Sequence, residues 1–158
     1  RIEIGVGEDR AANSLRITIG DNGRGMTEEQ VRSVTDPFYT TRTTRSVGLG
    51  VPFFKMSSEM TGGSFSIAAM PGQGTVVTAD YRTDHIDMTP LGDINETVLL
   101  LVIGHTAIDF VYRRSRDGKS FTLDTRELRD ILGDVPFDNP EVTQWIRGFL
   151  AENEAELD

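Results

Sequence analysis

The 158-residue sequence contains no cysteine. That excludes disulfides, thiolate metal sites and cysteine nucleophiles together, and leaves the redox compartment open. There are only two histidines, His85 and His105. They are too few and too far apart for a metal cluster or a nucleophilic triad, and both read as structural. Long apolar runs are also missing. The longest, Val98 to Ile103, falls far short of a bilayer span. No signal peptide, internal repeat or low-complexity segment is visible, so a cytoplasmic protein is expected. The chain opens on Arg1 within a strand-like pattern and without methionine, which reads as a piece of a longer protein.

What is present is ordinary for a globular chain, at 37% hydrophobic and 26% charged residues. The net charge of −9 is unevenly spread. Residues 1–84 carry 9 basic and 10 acidic side chains, whereas residues 85–158 carry 7 and 15. An acidic surface argues against non-specific nucleic-acid binding, which depends on Lys and Arg neutralising phosphates.

Periodicity predicts strands over 1–7 and 15–21, joined as a hairpin. A helix follows with Thr27 as N-cap and Glu28 and Glu29 in its first turn, and Asp36-Pro37 stops it. The stretch 38–46 has no apolar period and is dense in hydroxyls, so it reads as a loop. A second helix is expected from Gly48, with Pro52 in its first turn and Gly62-Gly63 at its end. Two more strands flank the turn "PGQG". The expected class is α+β: a two-layer α/β sandwich, with a small α+β unit after a linker at 83–92. The expected division is 1–84 and 85–158. In the second part a helix capped by Asp93, a hairpin about "RDGK" and two further helices are expected, the last opened by Asn139 and Pro140.

Two glycine-rich points carry the chemistry. "GLG" at 48–50 opens a helix with no carboxylate beside it, and such an N-terminus with unpaired N–H groups suits phosphate. The loop "DNGRGM" at 21–26 places Asp21 at its mouth, which would repel phosphate. A carboxylate there can instead accept from the exocyclic amine of adenine, while Gly23 and Gly25 leave room for a flat ring. Thr75 could add a hydroxyl near the base. The two points together suit ATP, with its base and its phosphates a loop apart.

"DNGRGM", "DPFYTTRTT", "GLGV" and "GQGT", in that order over about residues 15–79, resemble the boxes of the Bergerat-fold (GHKL) ATPases: gyrase, heat-shock chaperone, histidine kinase and mismatch-repair proteins. The fuller run "DPFYTTRTTRSVGLGVP" is similar to a narrower bacterial group, the histidine-kinase-like ATP-binding proteins encoded near iron hydrogenase or NADH-dehydrogenase-like genes in anaerobes. The resemblance implies that Asp21 accepts from the adenine amino group, with Gly23 and Gly25 by the ring. Phe38 and the stretch Tyr39 to Val47, with Thr40, Thr41 and Arg42, would form the ATP lid, mobile when empty. Gly48, Leu49 and Gly50 would bind phosphate, and Thr75 would assist at the base. Family members carry a helix ahead of the first strand whose asparagine binds Mg²⁺, and no such helix precedes Arg1. The catalytic residues, and the Mg²⁺ ligand of the full-length parent, are therefore expected upstream of this chain, which alone is expected to be inactive. The sheet face bared by the missing helix is expected to be covered by helices of residues 124–158 or by a second copy.

Simpler readings stand beside these. Phe53, Phe54, Met56 and Met60 read as core, as does the stripe of Trp145, Ile146, Phe149 and Leu150. Asp124 and Glu127 read as a helix cap. The leading function is an ATP-binding module whose parent hydrolyses ATP or transfers its γ-phosphoryl group. The alternative is a non-catalytic scaffold that docks a protein partner through residues 85–158. Neither nucleic acid nor membrane is expected as a partner.

Overall fold

The computed structural model of the chain describes residues 1–36 and 49–158. The first hairpin pairs β1 (Ile2–Asp9) with β2 (Ser14–Asp21). Helix α1 (Glu28–Thr35) begins at Thr27, whose hydroxyl accepts from the Gln30 N–H while the Gln30 side chain accepts from the Thr27 N–H. That reciprocal pair satisfies two donors the first turn leaves over. Helix α2 (Gly50–Met60) starts two residues after the position expected from the sequence; Leu49 holds its N-cap position without a side-chain hydrogen bond, and Gly48 lies outside the described residues. Strands β3 (Ser64–Met70) and β4 (Gly74–Arg82) form the second hairpin. Then follow α3 (Ile94–Gly104), β5 (Phe110–Arg116), β6 (Lys119–Asp124), α4 (Thr125–Leu132) and α5 (Pro140–Leu157). The expected caps Asp93, Asp124 and Asn139 each accept from first-turn amides.

All six strands form one sheet, in the order β3-β4-β2-β1-β5-β6. Every neighbouring pair is antiparallel except β1 and β5, which run parallel. The C-terminal hairpin therefore extends the N-terminal sheet. The register fixes the faces. Ile4 lies opposite both Ile19 and Tyr112, and Tyr112 lies opposite Leu123, so these side chains share one face. On that face Ile4, Val6, Leu15, Phe110, Tyr112, Phe121 and Leu123 pack with Val98, Leu99 and Val102 of α3 and Ile146 and Leu150 of α5. The alternate residues, Gly5, Thr18, Thr78, Arg113 and Thr122, form the other face. This is the two-layer α+β sandwich that the alternation predicts. Of the segment 124–158, α5 packs on β5 and β6 and against α3, which lies outside that range.

Two core assignments are corrected. In α2, Phe54 turns toward the sheet and meets Phe65 edge-on and Tyr81 at a tilt, but Phe53, Met56 and Met60 are about half exposed. In α5, Ile146 and Leu150 are buried while Trp145 is 54% exposed and stacks on Phe149. Apolar identity alone does not say which side of a helix faces the sheet.

One charged side chain lies within the covered layer. Arg114 on β5 is 1% exposed beneath α5. Its guanidinium donates to Glu8 of β1 at 2.9 Å, to Glu154 of α5 at 3.1 Å, and to the carbonyls of Val6 and Ser115. Arg116 joins the same two carboxylates and reaches Asp158. Burial pushes the Glu8 carboxyl up, but hydrogen bonds from Arg116 and Arg114 outweigh it and hold the group below the usual carboxylate range. Every donor is answered, which is the condition for a buried charge to be tolerated.

Two outcomes follow from this network. Arg114→Ala should destabilise the chain by about 1.5–3 kcal/mol, read as a lower urea midpoint from Trp145 fluorescence, because it takes from two half-buried carboxylates a charged partner that Arg116 only partly replaces. Glu8 has a folded pKa below its unfolded one, so its contribution is complete above the ordinary carboxylate pKa and is lost as pH falls through the lower value. Acid titration should therefore destabilise wild type more steeply than Glu8→Gln; parallel curves would refute the assignment.

Candidate functional site

The loop after β2 is built around a carboxylate and a hairpin turn. Asp21 ends β2 and lies directly opposite Thr75 of β4, so both side chains stand on the helix-bearing face. Asp21 Oδ1 accepts from the Gly23 N–H at 2.8 Å, an Asx-type turn that fixes the side chain. The residue is exposed, and its second carboxylate oxygen has no protein partner among the described residues. The carboxylate is thus held in place with an acceptor to spare.

The glycines also have a structural purpose that the sequence reading did not assign them. Gly25 has φ +65°, and a Cβ there would stand 1.9 Å from the Met70 carbonyl oxygen. Gly74, at φ +90°, would bring a Cβ within 1.9 Å of the Asp21 carbonyl oxygen. Between them, the Gly72 N–H donates to the Arg24 carbonyl at 2.7 Å. The Asp21 loop and the β3–β4 turn are therefore interlocked backbone against backbone, at a separation only glycine allows. Gly23 is looser: a Cβ there meets only the Asp21 carboxylate, at 2.8 Å. Gly74 is the residue that the reading of "GQGT" passed over for Thr75. Its signal was present, a glycine on each side of Gln73 at the foot of a strand.

The second glycine-rich point lies at the start of α2. Leu49 makes no side-chain cap, no acidic residue occupies the first turn, and Pro52 has no N–H to satisfy. Among the described residues no acceptor meets the amides of 49–51. A Cβ at Gly50 would meet nothing within 4 Å, so the helix start is open. Helices α1 and α2 contact one another and both contact β3. Of the expected site residues, Asp21, Gly23, Gly25 and Thr75 are brought together where β2 meets β4, and Leu49 and Gly50 open α2; Phe38, Thr40, Thr41, Arg42 and Gly48, with the rest of the expected lid, lie outside the described residues. Among the described residues no group of three or more His, Asp and Glu could hold a metal ion. Nor is any described helix long and apolar enough to cross a membrane.

The chain thus pairs a strand-borne aspartate locked against a glycine turn with a helix start that has no side-chain cap, on one α/β sandwich. The sequence signature of the histidine kinase-, DNA gyrase B- and HSP90-like ATPases matches residues 1–85, more than half of the chain, and the chain belongs to that family. It is similar to an uncharacterized sensor-like histidine kinase of Rhizobium meliloti, 31% identical over 77 residues, 46% of this chain and 15% of the relative. It is also similar to the sensor histidine kinase ZraS of Klebsiella oxytoca, 30% identical over 64 residues, 40% of this chain and 14% of the relative. The matched stretch is thus a small part of each relative. Within that limit the chain carries an ATP-binding module of histidine-kinase type.

Gly25→Ala tests the interlock directly. A methyl group 1.9 Å from a carbonyl oxygen must push the turn and loop apart, so thermal stability should fall and nucleotide binding with it. Gly50→Ala, with open space around it, should leave the melting temperature within a degree or two of wild type. Equal melting temperatures for both variants would show that the interlock does not constrain the fold.

Proposed function

We propose that the protein containing this chain binds ATP through the Asp21 loop and the start of α2, and hydrolyses it or transfers its γ-phosphoryl group to a protein. The observation that supports this most is the Asp21 carboxylate: fixed by Gly23, exposed, and with one oxygen that has no partner among the described residues. Such a group suits a ligand edge that donates, as the adenine amino group does, and opposes one that accepts, as guanine O6 does. Gly23 and Gly25 would flank the ring, and Thr75, opposite Asp21, would support the base edge. The open amides at Leu49 and Gly50 would receive phosphate oxygens, with Gly48 beside them and Phe38, Thr40, Thr41 and Arg42 closing over the ligand. Bound Mg²⁺ would supply charge neutralisation at the triphosphate. The described residues show no cluster suited to hold it, and the family resemblance assigns that role to an asparagine on a preceding helix. The expected setting is a bacterial cytoplasm, in the narrower group found near hydrogenase-like genes.

Calorimetry with ATP, ADP and GTP tests the reading. Asp21→Asn should weaken ATP binding about ten- to a hundredfold, the worth of a charge-assisted hydrogen bond of roughly 1.5–3 kcal/mol. GTP should compete poorly with wild type. Gly50→Val should reduce affinity for ATP more than for adenosine, since only phosphates need the helix start. Unchanged ATP affinity in Asp21→Asn would refute the base assignment.

A further inference from the structure

The sheet ends on two unlike edges. β6 carries Lys119 and Asp124 at its ends and belongs to the acidic part of the chain. β3, with the sequence SFSIAAM, has no charge and no proline. The uncharged stretch is longer than the strand, since no Asp, Glu, Lys or Arg occurs from Met60 to Ala79. Among the described residues no backbone hydrogen bond joins residues 64–69 to anything but β4, although α1 and α2 both contact the strand. Proteins usually blunt such an edge with charge, proline or a bulge, and β3 has none of these.

We propose that β3 pairs antiparallel with β3 of a second copy of this chain, about a two-fold axis at Ile67, and so makes one twelve-stranded sheet. The strand is self-complementary in that register. Ser66 meets Ala68 of the partner copy, Phe65 meets its Ala69 and Ile67 meets itself on the axis, so the one aromatic faces a small residue and no like charges are opposed. Charge distribution selects this edge over the other. Residues 85–158 carry 15 acidic against 7 basic side chains and lie toward β5 and β6, whereas residues 1–84 are nearly balanced at 10 against 9. Pairing through β3 puts the two acidic parts at opposite ends of the assembly. Pairing through β6 would bring them together.

Ser66 and Ala68 are exposed on the open face, so both accept long charged side chains without disturbing the helix-covered layer. Ser66→Lys/Ala68→Lys sets lysines directly opposite lysines across the axis, and Ser66→Glu/Ala68→Glu does the same with carboxylates. Sedimentation velocity over a dilution series should show a concentration-dependent dimer for wild type. Each variant alone should be a monomer with unchanged circular dichroism, and an equimolar mixture of the two should recover the dimer. Ile67→Cys, in a chain with no other cysteine, should form an intermolecular disulfide, while Thr122→Cys on the far edge should not. A wild-type monomer throughout the series, or a dimer that survives both like-charge variants, would overturn the pairing.

Discussion

The Arg114 guanidinium is the point on which the architecture turns. It is a charge buried beneath α5, and a charge so placed persists only if several acceptors converge on it. Those acceptors come from three parts of the chain: Glu8 and Val6 on β1, Ser115 on β5, and Glu154 on α5. Satisfying one side chain therefore requires β5 to lie beside β1 and α5 to lie across both. A parallel neighbour cannot arise from a tight turn. Here the chain reaches it through α3, and the arginine then fixes which strand that neighbour must be. Arg116, which answers the same carboxylates, keeps them from facing one another unneutralised.

The Asp21 end of the sheet is organised by the opposite means. Among the described residues no charge is buried there, and shape sets the geometry. Gly25 and Gly74 let two backbones approach until only carbonyl oxygens separate them, and the Gly72–Arg24 hydrogen bond holds them so. The Asp21 carboxylate is positioned by its own turn and by its place opposite Thr75. Aim is thereby separated from stability. The glycines hold the loop, and the aspartate is left with an acceptor to offer.

Much of this was legible in the sequence because local rules govern it. Thr27, Asp93, Asp124 and Asn139 each cap as their position predicts, and the strands follow strict alternation. Asp21 stood out because a carboxylate at a glycine turn needs a reason. What stayed hidden depends on contacts distant in sequence. The run from Phe110 to Asp124 reads plainly as a hairpin, yet nothing in it says that β1 is its neighbour. Nothing local to Arg114 says that α5 lies over it. Phe53, Met56 and Met60 read as core because they are large and apolar, but the helix turns Phe54 inward instead. Gly25 reads as space for a ring, and nothing local shows that its backbone also lies against the Met70 carbonyl.

The two organising features lie at opposite ends of the same two strands. Ile2 pairs with Asp21 at one end of the β1–β2 ladder, and Glu8 pairs with Leu15 at the other. Six residues of extended chain separate them, roughly 20 Å at the usual rise per residue. A strand pair hydrogen-bonded on both flanks, by β4 and by β5, has no second packing to adopt over that length. Energetic coupling between distant sites requires an element with two arrangements. The β1–β2 ladder offers one, so it acts as a brace. The acidic C-terminal part secures the sheet from the Glu8 end, so a second arrangement has to be sought in the helix layer, where α1 buries no residue and α2 has no side-chain cap.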